Sequence, residues 1–278
     1  MADHVRNQHY IPQFLLRNFC STDPNKIWSY DKIHKNISER SIQRTASEDF
    51  FYDINPGHKE GSFEYILGRA ESDTAPVISK IIETKDLSKL TLDEKVIIAL
   101  YVWLQEHRTK AGLKETERFN REFFEPIKEF AKATNAKLDL EELPYKQTWL
   151  SQFHEAPYMS AFLLKKKWFL VQSDKNFYMS DNPVIRHNPT NSNEYRGTLG
   201  LDSDGITIYF PLNHSLVLCL FCEKTYPSLT AETITCVPGQ LERINSFQVI
   251  LAERFIFSSQ NNFELVQNMM STGELERK

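Results

Sequence analysis

Nine consecutive apolar residues at positions 96–104, VIIALYVWL, follow the opening TLDEK. Thr91 and Glu94 have the capping-box spacing, in which each side chain satisfies a backbone N–H near the other residue, so a helix is predicted to start there. An apolar run of this length covers the whole circumference of a helix. Such a helix has no polar face to show to water and belongs in the middle of the fold. The run is far short of the ~20 residues that span a bilayer. Leu100, Leu104 and Arg108 then recur every four residues, so the inward stripe ends in a guanidinium. An unpaired charge out of water is very costly, and Arg108 therefore needs a carboxylate or phosphate partner.

The preceding helical stretch offers that partner. Glu64 and Glu71 are seven residues apart, nearly two turns, so both carboxylates leave one face, and Gly68 between them clears room above it. Paired carboxylates of this kind either hold a divalent cation such as Mg2+ through oxygen ligands, pair with Arg108, or form a solvated face. A second polar row, His9, Gln13 and Arg17, recurs every four residues across IPQFLLRNF, which reads as a short buried helix. It forms a phosphate or carboxylate seat at a helix start, or His9 caps the helix and Arg17 ties down a loop. Asp181, in the strand-closing turn Ser180-Asp181-Asn182-Pro183, is a metal ligand or general base, or simply the acceptor of an Asx turn. Cys219 and Cys222 lie in a β-patterned run, where positions three apart point to opposite faces, so with Cys236 they read as buried thiols more readily than as a zinc site.

Around these candidates the pattern is that of one α+β domain over 1–278. The N-terminal part holds the short helix and a hairpin over 26–54. A helical centre follows over about 61–163, divided at Pro76 where Asp73 and Thr74 resemble a cap, and containing an amphipathic surface helix with Phe119, Phe123, Ile127 and Phe130. A mostly antiparallel β-rich part covers about 164–260, with WFLVQ and NFYMSDNPVI read as a hairpin and a long loop over 187–205. The 33 Lys and Arg against 37 Asp and Glu argue against a general nucleic-acid wrapper. Glycine is scarce, 9 residues in 278, and no glycine-rich phosphate loop occurs. A polar start and four cysteines in apolar settings point to a cytoplasmic protein with no membrane association.

Taken in order, NQHYIPQFLLRNF, IWSYDK with DFFYD, SFEYILGRAES, QEHRT, FYMSDNPV and YFPL resemble the family known as domain of unknown function 4238. The likeness runs from about residue 7 to about residue 260. Its most specific pieces are the opening pattern of His9, Tyr10, Pro12, Phe14, Leu16, Arg17 and Phe19, and the turn of Ser180, Asp181 and Pro183. The resemblance implies that hairpin, helical centre and β-rich end form one unit, and it implies no activity.

The functional expectation from the residues is a metal-dependent nuclease or phosphoesterase. Glu64, Glu71 and Asp181 would supply metal ligands or a base, while His9, Gln13, Arg17 and Arg108 would hold a phosphate-containing small molecule or nucleic acid. The alternative is a non-catalytic binding module recognising a small anion or a protein partner.

Overall fold

The computed structural model describes residues 5–58, 62–136, 144–190, 199–225, 227 and 232–273. The fold is α+β. It opens with β1 (Asn7–His9) and α1 (Gln13–Arg17), followed by the expected hairpin of β2 (Lys26–Asp31) and β3 (Asn36–Ser41). Then β4 (Ser47–Asp49) pairs antiparallel with β1. Pro12 is the N-cap of α1 rather than a residue of its first turn. A proline disfavours helical backbone in the residue before it, so the helix opens at Gln13 and His9 stays on a strand. The expected helical row of His9, Gln13 and Arg17 is broken at its first member.

The helical centre begins with α2 (Glu64–Thr84), a single helix with Pro76 inside it, where two helices were expected. An internal proline costs about 3 kcal/mol. Leu67, Val77, Ile78 and Ile81 are buried on both sides of it, and each such side chain contributes roughly 1.5–3 kcal/mol when removed from water, so the continuous apolar face wins. Next, α3 (Leu92–His107) carries the full capping box between Thr91 and Glu94, and buries Ile98, Ala99, Tyr101, Val102, Trp103 and Leu104. A tight turn leads into α4 (Lys110–Thr134), capped by Thr109, whose hydroxyl accepts from the Gly112 amide. A methyl group on Gly112 would collide with the carbonyl oxygen of His107. Beyond lie α5 (Tyr145–Ser151) and α6 (Ala156–Leu164). The amphipathic α4 is present, yet its phenylalanine face is not the one that packs. Thr116, Asn120 and Ala131 are its buried residues.

The β-rich part comprises β5 (Lys167–Gln172), β6 (Met179–Ser180), β7 (Ile185–His187), β8 (Thr207–Asn213), β9 (Leu216–Phe221) and β10 (Thr233–Thr235). It ends with α7 (Pro238–Leu251), β11 (Phe255–Ser258) and α8 (Glu264–Ser271). One sheet has the order β10-β5-β9-β8-β7, antiparallel except for the β10–β5 pair, and a second has the order β3-β2-β11-β6. The hairpin expected from WFLVQ and NFYMSDNPVI does not form, because β5 pairs with β9 while β6 pairs with β11. Side chains of α7 explain part of this. The amides of Tyr178 and Ser180 donate to Asn245 and Gln248 at 2.8 and 2.9 Å, which removes the donors a neighbouring strand would use. Of the loop expected over 187–205, His187 belongs to β7 and residues 191–198 lie outside the described residues. Cys219 and Cys222 are buried free thiols, with Cys219 inside β9. No helix among the described residues is long and apolar enough to cross a membrane.

Candidate functional site

Arg108 closes α3 as its C-cap and is 1% exposed. Three of its nitrogens are committed. Nη1 donates to Glu71 Oε1 at 2.7 Å, Nη2 donates to the carbonyl of His9 at 2.7 Å, and Nε donates to the Tyr52 hydroxyl at 3.1 Å. The hydroxyl of Tyr52 in turn donates to the backbone carbonyl of Arg108 at 2.9 Å. One turn earlier, Gln105 Nε2 donates to the carbonyl of Tyr10 at 3.0 Å. The end of α3 thus grips two consecutive carbonyls of the segment that joins β1 to α1. Burial alone would disfavour the guanidinium charge, but Tyr52 and Glu71 more than offset it, and Arg108 holds its proton more tightly than usual. The same burial raises the Tyr52 phenol well above its ordinary value.

In front of this cluster is a cavity of about 410 Å3 between the β1–α1 segment and α2. Its polar wall consists of Asn7, His9, Gln13, Glu64, Glu71 and Ser72, and Val5, Phe14 and Ala75 supply the apolar part. Glu64 is the first residue of α2 and Glu71 lies nearly two turns further on, so the sequence spacing does place both on one wall. Nothing stands over Gly68 between them. His9 is held below its ordinary pKa, mainly by burial, so at neutral pH it is an uncharged imidazole. Its Nε2 lies 3.2 Å from the carbonyl of Ile42, which fixes Nε2 as the protonated nitrogen. The wall is therefore rich in hydrogen-bond acceptors.

Two expected site residues lie elsewhere. Arg17 is exposed in the last turn of α1 and does not line the cavity. Asp181 is 1% exposed, and its carboxylate accepts the amides of Glu253 and Arg254 at 2.8 Å each and of Phe255 at 2.9 Å. It ties the turn leading from α7 into β11. Burial pushes its carboxyl up to about 6, against the three amide donors that favour the charged form. Among the described residues, no group of three or more His, Cys, Asp or Glu side chains is placed to hold a metal ion. Glu64 and Glu71 are together, and Asp181 does not join them. Asn7, Ser72, Tyr52 and Gln105 are the members of this region that the sequence reading passes over. All four lie within the segments that carry the family resemblance, but nothing in the local pattern of Tyr52 points to Arg108.

A family model described as a protein of unknown function, DUF4238, matches residues 7–262. No curated protein and no solved structure matches the chain.

Proposed function

The chain belongs to the DUF4238 family, and we propose that the cavity beside α2 binds a small organic molecule bearing a cationic ammonium or guanidinium group. The observation that carries this reading is that Glu64 and Glu71 share one cavity wall with the amides of Asn7 and Gln13. A wall of acceptors suits a ligand of donors. Its volume falls in the range of small-molecule pockets, which combine apolar lining with a few convergent polar groups, and Val5, Phe14 and Ala75 give a carbon skeleton something to pack on. Arg108 is buried and each of its three nitrogens donates to Glu71, Tyr52 or the His9 carbonyl, so it acts as counter-ion and clamp behind the wall instead of reaching for a ligand phosphate.

A second reading, a metal-dependent nuclease or phosphoesterase, rests on the two-turn spacing of Glu64 and Glu71. There Glu64 and Glu71 would hold Mg2+, which would supply Lewis-acid activation of a phosphate-containing substrate. Thermal melts separate the two readings. With putrescine or agmatine in the millimolar range, the melting temperature is expected to rise, since a ligand at a hundred times its Kd stabilises by about 2.7 kcal/mol. A rise with Mg2+ or Mn2+ alone, together with hydrolysis of a phosphodiester probe, would replace the first reading by the second. No response to the amines refutes the first.

A further inference from the structure

The outer face of α4 has the pattern of a helix that packs against another helix. Phe119, Phe123, Pro126 and Phe130 are spaced by four, three and four residues, the a and d seam of a heptad. Phe119, Phe123 and Phe130 are 54, 51 and 68% exposed, although the rings of Phe119 and Phe123 stack at 5.8 Å. Single exposed phenylalanines are ordinary on a protein surface, whereas a contiguous row of them marks an interaction surface. Its two edges differ. Glu115, Glu122 and Glu129 lie seven residues apart at the g positions, and all three are exposed. Leu113, Asn120 and Ile127, at the e positions, are turned toward the body, with Asn120 buried.

We propose that this face docks an amphipathic helix of a partner protein, apolar along its own seam and basic on the flank that meets Glu115, Glu122 and Glu129. Charges at e and g positions choose partner and orientation in helix pairs, and an acidic row calls for a basic one. A second copy of this chain does not supply it. Antiparallel self-pairing would set the acidic row against itself. Parallel self-pairing would set it against Leu113, Asn120 and Ile127, which carry no cation.

The test uses the full-length protein and two fluorescein-labelled helical peptides with leucine at a and d, one with lysine and the other with glutamate at e and g. Fluorescence anisotropy is expected to show saturable binding of the lysine peptide and at least tenfold weaker binding of the glutamate peptide. Phe123→Ser and the double variant Glu115→Lys/Glu129→Lys should each weaken the lysine peptide at least tenfold. Because these positions are exposed, the variants should melt near the wild-type temperature, which separates lost docking from lost folding. Equal binding of both peptides, or binding of neither, overturns the proposal. It is also overturned if sedimentation shows a dimer that Phe123→Ser converts to monomers, since the occupant would then be a second copy.

Discussion

Arg108→Ala is expected to destabilise the protein by about 3–5 kcal/mol, because removing one member of a buried ion pair strands the other. Here the loss extends beyond Glu71. The Tyr52 hydroxyl and the carbonyl of His9 each lose a charged donor, and the side chain leaves a void at a fully enclosed position. Glu71 is 26% exposed, so water can solvate part of the stranded carboxylate, and this holds the cost toward the lower end of that range. Urea unfolding of the variant measures it. The double variant Arg108→Met/Glu71→Gln should recover part of the loss, since it leaves no charge unpaired. An Arg108→Ala midpoint equal to wild type would mean that the clamp on the β1–α1 segment does not hold the fold.

Asp181→Ala should cost at least about 3 kcal/mol. It leaves the amides of Glu253, Arg254 and Phe255 without their acceptor, and each buried unsatisfied donor costs about 1–3 kcal/mol. Asp181→Asn should cost less than Asp181→Ala because one side-chain oxygen still accepts, although its new amide group meets backbone N–H groups it cannot accept from. Thermal and urea melts of both variants check this ordering. Wild-type stability in Asp181→Ala would show that the carboxylate is not the anchor of this turn.

What can be read from the chain alone follows the reach of each signal. The capping box of Thr91 and Glu94, the all-apolar run in α3 and the hairpin β2–β3 are local, and the structure has them. The need of Arg108 for a carboxylate was legible too. It follows from one stripe of four-residue spacing and the cost of a buried charge, and Glu71 meets it at 2.7 Å. Where the reading departed from the structure, a distant contact outweighed a local preference. Pro76 marks a helix break by itself, but the packing of Leu67 and Ile81 spans it. The segment around Met179 has the alternation of a hairpin strand, yet its partner is β11, and its amides are taken by α7. Asp181 in its turn has the composition of a catalytic aspartate. Only the fold brings the three amides at positions 253–255 to its carboxylate. His9 reached the cavity from β1, where a helical row with Gln13 and Arg17 was expected, because Pro12 sets the start of α1. Tyr52 shows the limit most plainly: its hydroxyl bonds to residues more than forty positions away in both directions along the chain.

If the cavity is a cation site built on Glu64 and Glu71, then Glu64 should meet the ligand while Glu71 is held by Arg108. Isothermal titration calorimetry of putrescine into wild type, Glu64→Gln and Arg17→Ala tests this division directly. Saturable binding at one site is expected for wild type, binding at least tenfold weaker for Glu64→Gln, about 1.4 kcal/mol or more, and an unchanged affinity for Arg17→Ala, whose side chain lies outside the cavity. Equal affinities in wild type and Glu64→Gln, or no binding to the wild-type protein, would contradict the assignment of this cavity as the cation site.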